Sequence, residues 1–225
     1  RMVLQEHSDI KLLNTIAEKI DLLKKIGIEN LVIHPFDETF SRLTAEEFVS
    51  SILVDRFHIQ KIIIGHDHRF GRNRTADIDD LIAFGKQYDF EVEQISVQEI
   101  NEISVSSTKI RNALLEGNMA LANEYLGYEY VLTGIIIKGK QLGRTIGFPT
   151  ANLKIEENYK LIPQNGVYIV KSIINQETVF GMMNIGFNPT VDGQKQSIEI
   201  HYFDFNADLY NQKISVSILH RIRSE

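Results

Sequence analysis

The 225-residue sequence predicts a doubly wound parallel α/β domain followed by a small antiparallel β-barrel. Helical and strand periods alternate from residue 9 to about residue 126. Beyond Gly127, strand-like segments succeed one another with no long helix between them. No repeat, low-complexity run or long flexible linker separates the halves, so two abutting domains are expected, 1–127 and 128–225, with the boundary near Gly127–Tyr130.

In the first half, DIKLLNTIAEKIDLLKKIG carries Ile10, Leu13, Ile16, Ile20, Leu23 and Ile26 at spacings of three or four before a glycine stop, which predicts a helix. NLVIHPF follows and reads as a short buried strand. Thr44 and Glu47 of TAEEF form a capping-box pattern, so a helix should run to about Phe57. QKIIIGHD then reads as a strand, DIDDLIAFGKQYD as a helix and FEVEQIS as a strand, the rhythm of a parallel sheet with crossover helices. In the second half, YVLTGIIIKG, GVYIVKSII, TVFGMMNIG, QSIEIHYFDF and KISVSILHRI are strand candidates, several separated by polar turns such as NQE and DGQ.

Composition narrows the function. Apolar residues make up 43% and charged residues 24%, ordinary for a globular protein. The chain has no cysteine, which excludes a disulfide framework, a Cys-based zinc site and a thiol nucleophile, and fits a cytoplasmic location. A formal net charge of −6 argues against a broad basic surface for nucleic acid. No signal peptide is visible, and no apolar run approaches the roughly eighteen residues of a membrane span. The chain opens at Arg1 and stops in HRIRSE just after a strand-like run, and is read as a piece of a longer polypeptide.

Against that acidic balance, KGKQLGRTIGFPTANL concentrates Lys138, Lys140 and Arg144 with Gly139, Gly143 and Gly147. The glycines permit close backbone approach, the cations would face an anion, and Pro149 fixes the dihedral that positions Thr150. Thr150 and Asn152 are hard oxygen donors two apart, which share one side of an extended segment and suit Mg²⁺ shared with nucleotide phosphates. The plain alternative is a long barrel loop with a proline turn; the spacing is not that of a Walker A loop.

Downstream, SIEIHYFDF alternates strictly, with Ile198, Ile200 and Tyr202 on one face and Glu199, His201 and Phe203 on the other. Glu199 is either a solvated surface carboxylate or a general base for a substrate hydroxyl.

Two further segments suit ligands in the α/β half. KIIIGHDHRFGRNR leaves a buried strand at the end where open α/β sheets bind. There Asp67 could accept hydrogen bonds from a nucleotide and Arg69 could meet a phosphate; a polar surface loop, or a metal pair at His66 and His68, are the alternatives. In SVSSTKIRNALLEGN, the hydroxyls of Ser106, Ser107 and Thr108 precede a helix carrying Lys109 and Arg111, which reads as simple N-capping or as a phosphate site.

GRTIGFPTANL, NGVYIV, MMNIGFNPT and IEIHYFDF together resemble the riboflavin kinase domain, and IGHDHRFG with SSTKIRNAL resembles the FMN adenylyltransferase domain of bifunctional bacterial riboflavin kinase/FAD synthetases. The resemblance covers nearly the whole chain in the family's order. It implies an enzyme of flavin biosynthesis that converts riboflavin and ATP to FMN and ADP, then FMN and ATP to FAD and pyrophosphate. It further implies Thr150 and Asn152 as holders of Mg²⁺ and ATP phosphates, Lys138, Gly139, Arg144 and Gly147 as the wrap around the nucleotide, and Glu199 as the base that activates the riboflavin 5′-hydroxyl. In the other half it implies Asp67 in the nucleotide pocket and Ser107, Thr108 and Arg111 on the ATP phosphates.

The sequence departs from the family in three places. The family's HxGH turn is absent, so adenylylation is in doubt for the chain as it stands. His68 occupies a position usually filled by Phe, and the family continues past RIRSE into a segment that helps close over the flavin. A nucleotidyltransferase for pantetheine phosphate or nicotinate mononucleotide, or a non-enzymatic barrel that binds single-stranded nucleic acid, are the competing readings. PTAN argues against the first, and the acidic charge and lack of Trp against the second. The partners expected are therefore small molecules, with neither nucleic acid nor membrane among them.

Overall fold

The computed structural model describes residues 10–65, 68–95, 99–100, 103–139, 149–190 and 193–224. Two compact units emerge, one from Leu31–Ser104 and the other from Ile10–Asn30 together with Val105–Glu225.

Helix α1 (Ile16–Lys25) opens with a complete capping box, in which Thr15 Oγ1 accepts from Glu18 N–H and the Glu18 carboxylate accepts from Thr15 N–H. The described residues of the first unit follow it. Asn30–Phe36, expected as a buried strand, forms neither strand nor helix, and Leu31, Val32, Ile33 and Phe36 are 46%, 62%, 57% and 51% exposed. Apolar character alone does not make a strand; the backbone needs a ladder partner, and among the described residues this segment has none.

Short helices α2 (Glu38–Ser41) and α3 (Ala45–Glu47) follow, and α3 carries the anticipated Thr44–Glu47 capping box. The chain then widens into a π-helical stretch over Phe48–Val54 that buries Val49 and Ile52. Strands β1 (Lys61–Gly65) and β2 (Glu91–Ile95) pair in parallel, connected through helix α4 (Ile78–Tyr88). Val49, Ile64, Phe70, Ala76, Leu81 and Phe90 pack as this unit's core. A two-residue ladder, β3 (Glu99–Ile100) with β4 (Ile103–Ser104), completes the unit.

In the second unit, α5 (Ser107–Leu115) and α6 (Met119–Leu126) precede the barrel, and Gly127, with φ of 73°, ends α6 in the left-handed conformation that favours glycine. The barrel comprises β5 (Tyr130–Ile137), β6 (Ala151–Lys154), β7 (Gly166–Ile174), β8 (Glu177–Thr190), β9 (Gly193–Tyr202) and β10 (Lys213–Arg223). It closes in the order β10-β5-β6-β9-β8-β7, all antiparallel, because β10 pairs with both β5 and β7. Alternation puts Tyr168, Val170, Met183, Ile185, Ile200, Val216 and Ile218 inside with no exposed surface. PTAN, read from sequence as part of a connection, supplies the start of strand β6.

Helix α1 is bound to this barrel by a buried ion pair. Lys160 Nζ lies 2.6 Å from Glu18 Oε2 and donates to the Leu13 carbonyl at 2.6 Å, while sitting 4.3 Å above the centre of the Tyr130 ring. Glu18 Oε1 accepts from Thr133 N–H of β5 at 2.9 Å. Burial pushes the Lys160 ammonium below the ordinary lysine pKa, against the pull of Glu18. Every charge here is compensated, so removing one partner strands the other. Glu18→Gln should lower the unfolding free energy by about 3–5 kcal/mol. Urea denaturation checks this, and an unchanged midpoint would show that α1 is held to the barrel by other contacts.

Candidate functional site

The site forms where two strand ends meet. β5 delivers Lys138 and Gly139; the chain returns at Pro149 and Thr150 and enters β6, which pairs back on β5 with Asn152 opposite Ile137. On its other side β6 pairs with β9, placing Ala151 opposite Ile200 and Asn152 opposite Glu199. Leu153, Ile198, Ile200 and Tyr202 point into the barrel at no more than 6% exposure. Alternation therefore turns Thr150, Asn152, Glu199 and His201 together onto the outer face.

Thr150 Oγ1 is 3.4 Å from Glu199 Oε2, the long end of hydrogen-bond reach. His201 Nδ1 lies 3.0 Å from the Pro149 carbonyl. Gly139 approaches Asn152 so closely that a Cβ built on it would overlap the whole Asn152 amide group. The constraint on a larger residue here is contact with the Asn152 side chain rather than the backbone dihedral. Two members of PTAN, the strand carboxylate and the glycine after β5 thus share one small region.

Beside them opens a pocket of about 580 Å³. Lys138, Pro149, Thr150 and Ala151 border it on one side, and Ile200, Tyr202 and the segment Phe205–Asn211 on the other. That segment is anchored to β5 by reciprocal bonds, Asn211 N–H to the Ile136 carbonyl at 2.8 Å and Ile136 N–H to the Gln212 carbonyl at 3.0 Å. Lys138 Nζ stands 5.8 Å from the centre of the Tyr210 ring, within cation–π range. Tyr202 shares a hydrogen bond with Ser172 at 2.7 Å, and burial raises its phenol pKa, so the hydroxyl stays neutral. No role for Phe205–Asn211 or Tyr210 follows from the sequence pattern. Their only signal was an apolar-polar mixture just after the strand bearing Glu199.

The oxygen donors fit a hard cation shared with phosphates. Thr150 Oγ1, Asn152 Oδ1 and Glu199 are all hard oxygen groups, and among the described residues no cluster of three or more His, Cys, Asp or Glu could hold a metal by itself. Mg²⁺ characteristically takes one or two protein oxygens and completes its shell with water and substrate phosphate.

The remaining predicted site residues divide into two groups. Asp67, Arg144 and Gly147, together with His66, Lys140 and Gly143, lie outside the described residues. Ser107 and Thr108 occupy the exposed first turn of α5, and Ser106 Oγ caps it by accepting from Lys109 N–H at 3.3 Å. Arg111 Nε donates to the Lys11 carbonyl at 2.9 Å, which ties its guanidinium to the segment ahead of α1. In the first unit, Arg69 pairs loosely with Asp77 at 3.9 Å, and the His68 ring lies nearly parallel to Phe70, 6.2 Å between centres.

Comparison with known proteins agrees with both halves. Residues 126–225 match the riboflavin kinase family model, and residues 1–109 match the FAD synthetase model. A bifunctional riboflavin kinase/FMN adenylyltransferase of Buchnera aphidicola is 40% identical over 96% of this chain and 70% of its own length. The Escherichia coli protein of the same description is 36% identical over 95% of this chain and 68% of its own length. A solved structure described as a macrolide-efflux protein from Streptococcus pneumoniae superposes with a TM-score of 0.83 and 34% identity, over 95% of this chain and 68% of that one. Among the described residues here, no helix is long and apolar enough to cross a membrane. The chain belongs to the bifunctional riboflavin kinase/FMN adenylyltransferase family.

Proposed function

We propose that this chain phosphorylates riboflavin at its 5′-hydroxyl, using the outer face of the barrel where β6 meets β9. The observation that carries the reading is the register Asn152 opposite Glu199, with Thr150 Oγ1 3.4 Å from the same carboxylate. Glu199 takes the proton of the ribityl hydroxyl as its oxygen attacks the γ-phosphorus of ATP; the bond to the bridging oxygen breaks and ADP leaves. Thr150 and Asn152 would hold Mg²⁺ against the nucleotide phosphates, where the cation supplies neutralisation of the charge that builds on the phosphoryl oxygens. Lys138 adds positive charge at the pocket mouth, and the pocket of about 580 Å³ beside it is large enough for the nucleoside. Exposed Met182, opposite His201 in the β8–β9 ladder, and Phe203 offer an apolar surface for the flavin ring.

The adenylyltransferase reading joins an oxygen of the FMN phosphate to the α-phosphorus of ATP and releases pyrophosphate. It rests on the family match over residues 1–109 and on the Ser107 and Thr108 hydroxyls at the start of α5. Arg111 would act from its fixed place beside Lys11, and Asp67 in the nucleotide pocket. The cysteine-free composition accords with a cytoplasmic enzyme. A barrel carrying PTAN and Glu199 gives no support to adenylylation of an unrelated mononucleotide.

A chromatographic assay with riboflavin, ATP and Mg²⁺ tests the reading directly, and failure to form FMN sinks the kinase assignment. Glu199→Gln should keep the fold and ATP binding while lowering kcat by about 10²–10⁴-fold, the usual loss on removing a general base. Steady-state kinetics decide it, since undiminished turnover removes Glu199 from the mechanism. Asn152→Ala should strongly reduce FMN formation. Gly139→Ala should do the same with little change in melting temperature, because the added methyl displaces the Asn152 amide rather than a core group. Wild-type rates in both variants would reject the role of Asn152.

A further inference from the structure

We propose that His201 is a positioning residue for phosphoryl transfer: its imidazole ties β9 to the Pro149 carbonyl and so holds Thr150 against Glu199. The inference rests on the kinase reading above.

The backbone does not hold Thr150 in place by itself. The β6–β9 ladder has two register pairs, Ala151 with Ile200 and Asn152 with Glu199, and Thr150 lies one residue beyond its end. The preceding residue, Pro149, has no N–H to donate, so its carbonyl is the one main-chain hydrogen-bonding group that residue offers. His201 reaches it from the same face of β9 as Glu199, at 3.0 Å. A carbonyl oxygen only accepts, so Nδ1 carries the hydrogen in this contact. The ring is half-buried and meets Phe203 edge to face, 5.9 Å between centres, which limits its swing.

The bond clamps the residue just before Thr150, while Glu199 two residues along β9 receives the Thr150 hydroxyl. Strand, ring and turn therefore form a closed loop: β9 to His201, His201 to Pro149, Thr150 to Glu199, and Glu199 back to β9. Opening the loop at His201 frees the turn without touching either oxygen group. Displacing a positioned group by an ångström can cost about 10²-fold in rate, so the consequence is kinetic.

Two substitutions separate the hydrogen bond from the packing. His201→Phe keeps a ring against Phe203 and loses the donor; His201→Gln loses the ring and keeps an N–H donor of similar reach. Neither opens the core, because the side chain is on the outer face, and melting temperatures verify that both fold. The Phe variant should lose about 10–100-fold in kcat with the riboflavin KM little changed, and the Gln variant should recover most of it. In hydrogen exchange, the peptide spanning Pro149–Leu153 should exchange faster in the Phe variant and at the wild-type rate in the Gln variant. A fully active Phe variant overturns the proposal. Equal losses in both variants also overturn it, since they assign the effect to ring packing. If the wild type makes no FMN, the kinase reading fails separately, and the exchange measurement still decides whether His201 holds the turn.

Discussion

Closure of the barrel is the constraint on which the site depends. β10 pairs with β5 on one side and β7 on the other, so neither the first nor the last strand of the sheet is left as an open edge. With the ring closed, β6 has only one place to lie, between β5 and β9. Its short ladder to β9 then fixes Asn152 opposite Glu199. A slip of one residue would turn Thr150 and Asn152 into the barrel and Leu153 out into water. Burial of Leu153, Ile198 and Ile200 opposes that slip, so the apolar interior sets the register of the polar exterior.

The same arrangement explains how an acidic protein handles anionic substrates. The net charge of −6 gives no general attraction for phosphates. Instead Lys138 puts positive charge beside the pocket, and the hard oxygens of Thr150 and Asn152 suit a divalent cation. Phosphoryl transfer needs alignment and charge neutralisation more than covalent participation by the protein. In the proposed reaction the β6–β9 pair, with its close glycine approach, supplies the alignment. His201 extends it by one residue, to the turn where the ladder stops.

The second unit is not a continuous stretch of chain. Ile10–Asn30 joins Val105–Glu225, and the Glu18–Lys160 pair is the polar centre of that union. An ion pair with this little exposure gains nothing from solvent and depends on having each lone pair and proton met. Leu13 and Thr15 ahead of α1 and Thr133 of β5 meet them from two segments, so the pair specifies one docking of α1 rather than merely adding stability.

Much of this was legible in the residues. The three-to-four spacing with its glycine stop marks α1, the DIDDLIAFGKQYD segment marks α4, Thr44 and Glu47 mark a helix start, and Ile198, Ile200 and Tyr202 declare which face of β9 is buried. The PTAN and IEIHYFDF segments carry the family resemblance and the candidate oxygens in the sequence itself. Local pattern shows which face of an element is apolar, because periodicity is a property of neighbours in the chain. It does not show what covers that face. NLVIHPF has a strand's composition and forms none; Lys160 looks like a surface lysine and is buried; residues 10–30 precede the α/β unit in sequence and pack with the barrel. The pairing of Asn152 with Glu199, and the reach of His201 to Pro149, join residues far apart along the chain. Sequence alone determined the family, the strand and helix periods, and the chemical types at the site. Only the tertiary structure decided which of them meet, because long-range register is set by closing a barrel around a common core rather than by any local preference.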